Sequence, residues 1–464
     1  MVDHTNPEVY SHNATPNYGL RAGVLGPVET LAQSVSAMAP TTSASLTIPL
    51  VFALAGNATW FVYLLATVAM FLVGFCVSRF ARLSASPGSL YTYTADTLPP
   101  VFGVVAAWGL LLAYLATGAS VAGGALYYAG VLSQQFLHWT PPAVPTLVAV
   151  CALATFIAYR DVKLSAELML WIEAVSVALI LVVLLALMVH YGIRIDRDQL
   201  MLRGARLSSL GPALVLSIFS FVGFESATTL GAEARNPLRT IPRAVLQCAL
   251  LAGVFFMLCS YSEVLGFRGE QSNLSQTTSP LHILAARAGV SPLGIAIDVG
   301  AFVSMFACVL ACATAAARVL LRMAHQGLLP SSLARTSPRS QTPWVAILIS
   351  GTSMLAATTA MNSRSFNGSD MYDLAGSLSV FGFLTAYALV AVALPFARRR
   401  NGTSSLSLIG VSTVTVLVVI LIAVYDLESS ADAAHSRIPY IYIAYIAIGL
   451  VIYLLQQELS RARH

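Results

Sequence analysis

The chain has 464 residues, 57% of them hydrophobic and 10% charged, against about 25% charged in soluble domains. That excludes an ordinary soluble enzyme and leaves room for about twelve apolar spans of ~20 residues each, joined by short loops. The net charge of +5 is spread over loops without a basic face, so no nucleic-acid partner is expected.

Residues 1–24 are polar. No basic stretch precedes a short apolar one, so they read as a cytosolic tail and not as a signal peptide. Charge-free runs then place spans at 28–54, 60–78, 100–131, 142–159, 165–191, 209–233, 242–266, 292–322, 343–361, 373–396, 406–425 and 438–456. Gly56, Asn57 and Thr59 divide the run 30–78 into two helices, and Pro141, Pro142 and Pro145 divide 97–159. Alternate loops then hold 17 and 8 of the basic residues. That bias puts both termini in the cytosol. The loop after the fifth span breaks the rule with Arg194, Arg197, Arg203 and Arg206, but Asp196 and Asp198 interleave with them, so it reads as a small folded cap.

Two spans are interrupted. The middle of the first reads Met38-Ala39-Pro40-Thr41-Thr42-Ser43-Ala44-Ser45. A proline there removes a helical hydrogen bond and clashes with the preceding turn, and the hydroxyls after it can satisfy freed backbone groups. The sixth holds Phe219-Ser220-Phe221-Val222-Gly223-Phe224-Glu225-Ser226. A carboxyl at mid-membrane depth costs ~2.5–3.5 kcal/mol on insertion scales, so Glu225 should face protein or water. Irregular backbone is tolerated there only where it lines a cavity. Breaks five spans apart are the pattern of a five-plus-five inverted repeat with a site between them. The expected fold is an all-α integral membrane protein of twelve transmembrane helices. The bland alternative for the first break is a proline kink that aids packing.

The six cysteines (Cys76, Cys151, Cys248, Cys259, Cys308 and Cys312) all lie inside apolar runs, so no disulfide framework and no metal site are expected. Eight scattered histidines supply no convergent nucleophile–base set, which argues against an integral-membrane enzyme. No filter-like repeat suggests a channel.

The segment Ser220–Ser226, followed by Asn236-Pro237 and Ile241-Pro242, resembles the sixth-helix signature of the amino acid–polyamine–organocation (APC) superfamily. Ser86-Pro87-Gly88-Ser89-Leu90-Tyr91-Thr92-Tyr93 resembles that family's entry to the third helix. Ala317-Arg318 through His325-Gln326-Gly327-Leu328-Leu329-Pro330 resembles the end of its eighth. The resemblance is to amino acid permeases and covers roughly residues 24–400. It implies a LeuT-like transport core over 25–400, with 401–464 forming two additional helices and a short tail. Two departures stand out. Thr42-Ser43-Ala44-Ser45-Leu46 replaces the family's glycine-rich first-helix motif, with Pro49 setting the register. Phe219 stands where many relatives have a tryptophan lid.

The resemblance implies that a substrate carboxylate sits against Thr41, Thr42, Ser43 and Ala44, where a helix N-terminus also suits an anion. It implies that the ammonium meets carbonyls around Pro40 and around Phe219, Ser220, Phe221, Val222 and Gly223. Thr117 and Gly118 match a position that faces substrate. Glu225 belongs to the gating region in relatives, and its structural alternative is a fixed hydrogen bond to the first span. Glu173, in the fifth span, is a second candidate for proton coupling, although Ser176 stands where some relatives place a lysine. Sodium is disfavoured, because Ala307, Cys308 and Ala311 separate Ser304 from Thr314 in the eighth span. No acid lies deep in the third, eighth or tenth spans to meet a cationic side chain.

The expectation is therefore a secondary active transporter in the plasma membrane. It would drive uptake of a neutral amino acid or related amine with a proton gradient and no cofactor, as a monomer or homodimer. The alternative within transport is an exchanger.

Overall fold

The computed structural model describes residues 18–191, 195–268, 273–277, 279–400, 406–428 and 435–461, without the side chains of 191, 398–400, 426–428 and 459–461. Residues 1–17 of the expected tail, Arg194 and Arg463 lie outside that set, as do the side chains of Arg398–Arg400 and Arg461. Among the described residues the backbone is helix, turn and loop, apart from one bridge between Leu25 and Ala234.

The chain begins with α1 (Pro27–Met38), started by a proline whose missing N–H is unneeded in a first turn. It stops at Ala39, whose φ of 47° is left-handed. Past that break run α2 (Pro40–Thr42), a π-helical turn Ser43–Thr47 and α3 (Ile48–Ala55). Gly56, with φ 54°, turns the chain into α4 (Thr59–Ala81). Then follow α5 (Ser89–Ala95), α6 (Pro100–Leu137), α7 (Ala143–Arg160), α8 (Val162–Tyr191) and the single-turn α9 (Arg197–Leu200). The helix α10 (Leu207–Phe219) ends short of the expected span. Turns and a 3-10 helix, Ser226–Leu230, carry the chain to α11 (Pro237–Gly266), α12 (Pro280–Arg287) and α13 (Ser291–His325). The last four are α14 (Trp344–Ser363), α15 (Gly368–Arg400), α16 (Leu406–Glu428) and α17 (Ile438–Arg461).

Among the described residues, ten helical stretches are long and apolar enough to cross a membrane. The first, Pro27–Ala81, is 55 residues long and holds the breaks at Ala39 and Gly56; α10 is a shorter apolar helix. The protein is therefore a multi-pass membrane protein. Most predicted ends hold within a few residues. The sixth span, expected as one run over 209–233, is helical only to Phe219, because charge-free sequence measures apolarity and not helical continuity. The seventh begins at Pro237 and not at 242, since a proline suits the first helical turn. The third runs on to Leu137.

In α6 and α13, 67% of the most apolar window is buried inside the protein, against 22% in α16 and 17% in α17. The first pair is therefore the centre of the bundle, and the last two helices lean on its outside with their apolar faces uncovered, as a lipid contact requires.

Two ends of the bundle are tied differently. At one, Arg322 donates to the Tyr18 hydroxyl at 2.9 Å, Arg21 pairs with Asp161 at 2.9 Å, and Gln456 of α17 donates to the Leu328 carbonyl. The N-terminal segment and the last helix thus meet at one face, here called the terminal face. At the opposite face the expected cap is folded. Asp196 caps α9 through the backbone N–H groups of Asp198 and Gln199. Arg268 reaches Asp196 at 2.6 Å, Asp198 at 3.1 Å and Asn57 at 2.8 Å. Trp60 donates its indole N–H to the Gln199 carbonyl. Burial alone would raise the pKa of Asp196, but the hydrogen bonds from Gln199 and the Arg268 charge outweigh it and hold the carboxyl below the usual range.

Candidate substrate site between two broken helices

The two interruptions touch. Gly223 has φ 90°, a conformation that side chains disfavour. A Cβ placed there would stand 2.9 Å from the Ala37 carbonyl oxygen. The break of α10 is therefore pressed against the last turn of α1. Just beyond it, the Ser226 hydroxyl donates to the Gln33 carbonyl at 3.0 Å, and the Ala227 N–H donates to the Ser34 hydroxyl at 2.9 Å. From the other side, Cys308 of α13 donates its thiol to the same Ala37 carbonyl at 3.2 Å, and Gln33 donates to Ala311 at 3.0 Å.

Between Phe219 and Glu225 the backbone is a chain of tight turns and not an extended strand. Phe221, Val222, Phe224 and Ser226 donate three residues back, to Ile218, Phe219, Phe221 and Gly223. The carbonyls of Ser220 and Val222 accept none of these turn bonds. On the first helix, the chain restarts at Pro40, so the N–H groups of the next turn lack intrahelical acceptors. The hydroxyls of Thr41 and Thr42 are buried without a partner, as is that of Thr117. Thr117 lies on α6 between Tyr114 and Ser120, at spacings of three that keep all three on one helix face. Tyr114 reaches Glu225, and Ser120 bonds the Tyr372 carbonyl, so that face is turned toward the breaks. Gly118 instead packs against Met354.

Phe219 forms a lid. Its ring meets Tyr372 of α15 edge to face at 5.5 Å, and the Tyr372 hydroxyl is hydrogen-bonded to Thr47 at 2.9 Å. Phe219 and Tyr372 also line a cavity of about 170 Å3, together with Leu50, Leu54, Pro212, Leu216 and the Asp373–His435 pair.

The acids have distinct settings. Glu225 is fully buried and accepts two phenol hydrogen bonds, from Tyr114 at 2.9 Å and Tyr387 at 2.6 Å. It braces the sixth-helix break to α6 and α15. The expected alternative, a bond to the first span, is not what forms; Ser226 and Ala227 make that link. Glu173 accepts from Ser304 of α13 at 2.8 Å, and its other oxygen is buried and unpartnered. Pro40–Thr42 packs against the helices that carry both residues, α8 and α13. Ser304, considered as a sodium ligand, is thus committed to a carboxyl.

All the residues expected at the site are buried: Pro40, Thr41, Thr42, Ser43, Ala44, Thr117, Phe219, Ser220, Phe221, Val222, Gly223, Glu173 and Glu225. Sequence reasoning missed their polar neighbours. Tyr63, Tyr114, Tyr372 and Tyr387 are buried phenols indistinguishable in sequence from core aromatics. Arg318, counted as a loop anchor, is 1% exposed and paired with Glu233. Glu263 of α11 is fully buried with neither oxygen bonded. Its place inside an apolar run was a signal that could have been read. Among the described residues, no three His, Cys, Asp or Glu side chains gather as a metal set.

Two interrupted helices in contact, with unpaired buried hydroxyls beside them, inside a bundle of membrane-length helices, are the build of a solute transporter. The chain belongs to the amino acid permease family, whose model matches residues 25–452. It is 28% identical over 406 residues to a low-affinity putrescine importer of Escherichia coli, covering 82% of each chain. It is 25% identical over 360 residues to a branched-chain amino acid permease of Bacillus subtilis, covering 73% of each. It spans 66% of the length of the curated relatives that it matches at 30% identity. Among solved structures, a manganese transporter mutant of Eremococcus coleocola superposes with a TM-score of 0.57 at 14% identity, over 97% of this chain and 96% of that one.

Proposed function

We propose that this chain is a secondary active transporter of the plasma membrane that takes up a neutral amino acid or related amine, driven by protons, through alternating access. The observation that carries this reading is the contact of the two breaks, Gly223 against Ala37, with the unpaired hydroxyls of Thr41 and Thr42 beside it. The substrate carboxylate would take the N–H groups and hydroxyls after Pro40, and its ammonium the free carbonyls of Ser220 and Val222. A branched-chain permease among the relatives supports an amino acid of this kind.

The architecture we propose has twelve crossings, with residues 25–400 as a ten-helix inverted-repeat core and 401–464 as an outer pair and short tail. Gly56 divides the 55-residue stretch into two crossings, and α10 with Ser226–Leu230 supplies the sixth. Both termini would be cytosolic, from the excess of Arg and Lys on their side. The terminal face is then the inner one, shut by Glu233 and Arg318.

Reconstituted protein tests this directly. Uptake of labelled amino acids is measured under an imposed pH gradient, under a sodium gradient, and with substrate preloaded inside. Proton-driven uptake is the expected result. Uptake that needs internal substrate and ignores pH would establish exchange and end the proton reading. Glu173→Gln and Glu225→Gln in the same assay separate coupling from bracing: the first should blunt the pH response, the second should slow all transport modes.

A further inference from the structure

Glu263 lies in α11 with its side chain fully buried and both carboxyl oxygens without a hydrogen-bond partner. A carboxylate left so would carry an uncompensated charge in a dry interior, which is among the costliest arrangements a protein can hold. As the neutral acid it is tolerable. What makes the position more than a buried acid is its neighbour. Tyr63 of α4, itself fully buried, is hydrogen-bonded to the Ser220 hydroxyl at 3.1 Å, and its ring packs 5.6 Å from that of Phe256 on α11, two turns before Glu263 on the same helix face. Ser220 sits in the break of the sixth helix. One phenol is therefore bonded to the broken segment and packed on the face of α11 that carries an unsatisfied carboxyl.

We propose that Glu263 is a proton-binding site of the transport cycle, switched by Tyr63, whose hydroxyl is bonded to Ser220 in this state and is released to the Glu263 carboxyl when the sixth-helix break moves. This rests on the proton-coupled reading above and adds a proton site that reading does not include. With Tyr63 held by Ser220, the carboxyl has no donor and keeps its proton. When Ser220 withdraws, Tyr63 keeps its own proton but donates a hydrogen bond to the carboxylate. The Glu263 proton then passes to water admitted by the same opening.

The surroundings favour such a switch over a fixed ion pair. On its own helix the titratable neighbours are Cys259, one turn back, and Tyr261, whose hydroxyl accepts from the Asp196 N–H. Arg287 of α12 spends its guanidinium on the Gly266 carbonyl at 2.7 Å and on the Phe267 ring. The stretches Ser43–Thr47, Ile48–Ala55 and Ser226–Leu230 that pack on α11 hold no titratable side chain. On α1 and α8, which also touch α11, Glu29 lies in the first turn of α1 at the terminal face, Glu173 is bonded to Ser304, and His190 is at an exposed helix end.

The test uses the full chain in lipid vesicles. Glu263→Gln should lose stimulation of uptake by an inward pH gradient while retaining exchange of internal for external substrate. Infrared difference spectra between high and low pH should show a protonated carboxylic-acid carbonyl band in the wild type that is missing in Glu263→Gln. Tyr63→Phe keeps the carboxyl but removes the donor, and its band should persist when substrate is added, where the wild-type band weakens. PH-stimulated uptake unchanged in Glu263→Gln would overturn the proposal. So would an identical carboxylic band in Glu263→Gln, or a Tyr63→Phe band that responds to substrate as the wild type does. If no amino acid or amine is transported by the wild type, the function reading fails, and the infrared pH comparison still decides whether Glu263 holds the proton.

Discussion

Glu233 and Arg318 form a two-pronged ion pair sealed from solvent, Nε to Oε2 at 2.6 Å and Nη2 to Oε1 at 2.7 Å. Arg318 also donates to the Thr314 carbonyl one turn back on α13. The Glu233 carbonyl accepts from Leu25, whose own carbonyl accepts from Arg235 at 2.7 Å. One pair thus joins the N-terminal segment, the link after the sixth helix and α13 below the two breaks, and moving any of these pieces must break or carry it.

Glu233→Gln should therefore leave a buried guanidinium without its counter-charge and cost ~3–5 kcal/mol of stability. Replacing both residues with apolar ones of similar volume, Glu233→Met with Arg318→Leu, should recover much of that loss while leaving the terminal face less firmly shut. Thermal melting in detergent reads the first effect. The reactivity of a cysteine placed on the link toward a membrane-impermeant thiol reagent reads the second. A double variant no more stable than the single would sink this account.

Gly223→Ala should destabilise the protein by about 1–3 kcal/mol, because φ near 90° is strained for a side chain and the new methyl group meets the Ala37 carbonyl. Transport should fall with it, since the two breaks would be forced apart. Gly130→Ala is the control. Nothing lies within 4 Å of a Cβ there, the backbone is helical, and alanine gains up to about 1 kcal/mol over glycine in a helix. Equal melting temperatures for the two variants would contradict the contact.

Thr41→Val and Thr42→Val remove buried hydroxyls that bond nothing in this state. Stability should hold or rise slightly. If the hydroxyls serve the substrate, each loss should weaken binding by about 0.5–1.5 kcal/mol, seen as a higher KM for uptake. A fall in melting temperature with unchanged KM would return them to a purely structural role.

The Asp196 cap gives a pH signature. Its carboxyl is held below the ordinary value by Gln199 and Arg268 against the effect of burial. A depressed carboxylate contributes stability that is fully present above its unfolded value, about 3.9. That contribution is lost as the pH falls from there through the lower folded value. Melting temperature should accordingly drop on acidification below about pH 4, and the step should shrink in Arg268→Ala. A step of equal size in both proteins would remove Arg268 from the explanation.

Glu225 shows how a correctly located residue can still be misjudged in its partners. Its depth and its place beside Gly223 were legible, because a carboxyl in an apolar run is costly anywhere but against protein or water. Its two donors, Tyr114 and Tyr387, come from helices 111 and 162 residues away in the chain, and no local pattern marks a tyrosine as a donor and not as packing. Arg318 failed in the opposite direction. Arginines near span ends usually anchor topology, and only the fold brought Glu233 to it.

The sequence by itself determined the membrane class, most helix limits and the two interruptions. These follow from local physics: apolar length against bilayer thickness, proline's missing N–H, and glycine's access to positive φ. The tertiary structure alone decided which of the buried acids are braced, paired or left bare. Glu225, Glu233, Glu173 and Glu263 are the same chemical group at similar cost of burial. What separates them is whether distant helices deliver donors, and that is fixed only when α6, α13 and α15 close around the breaks.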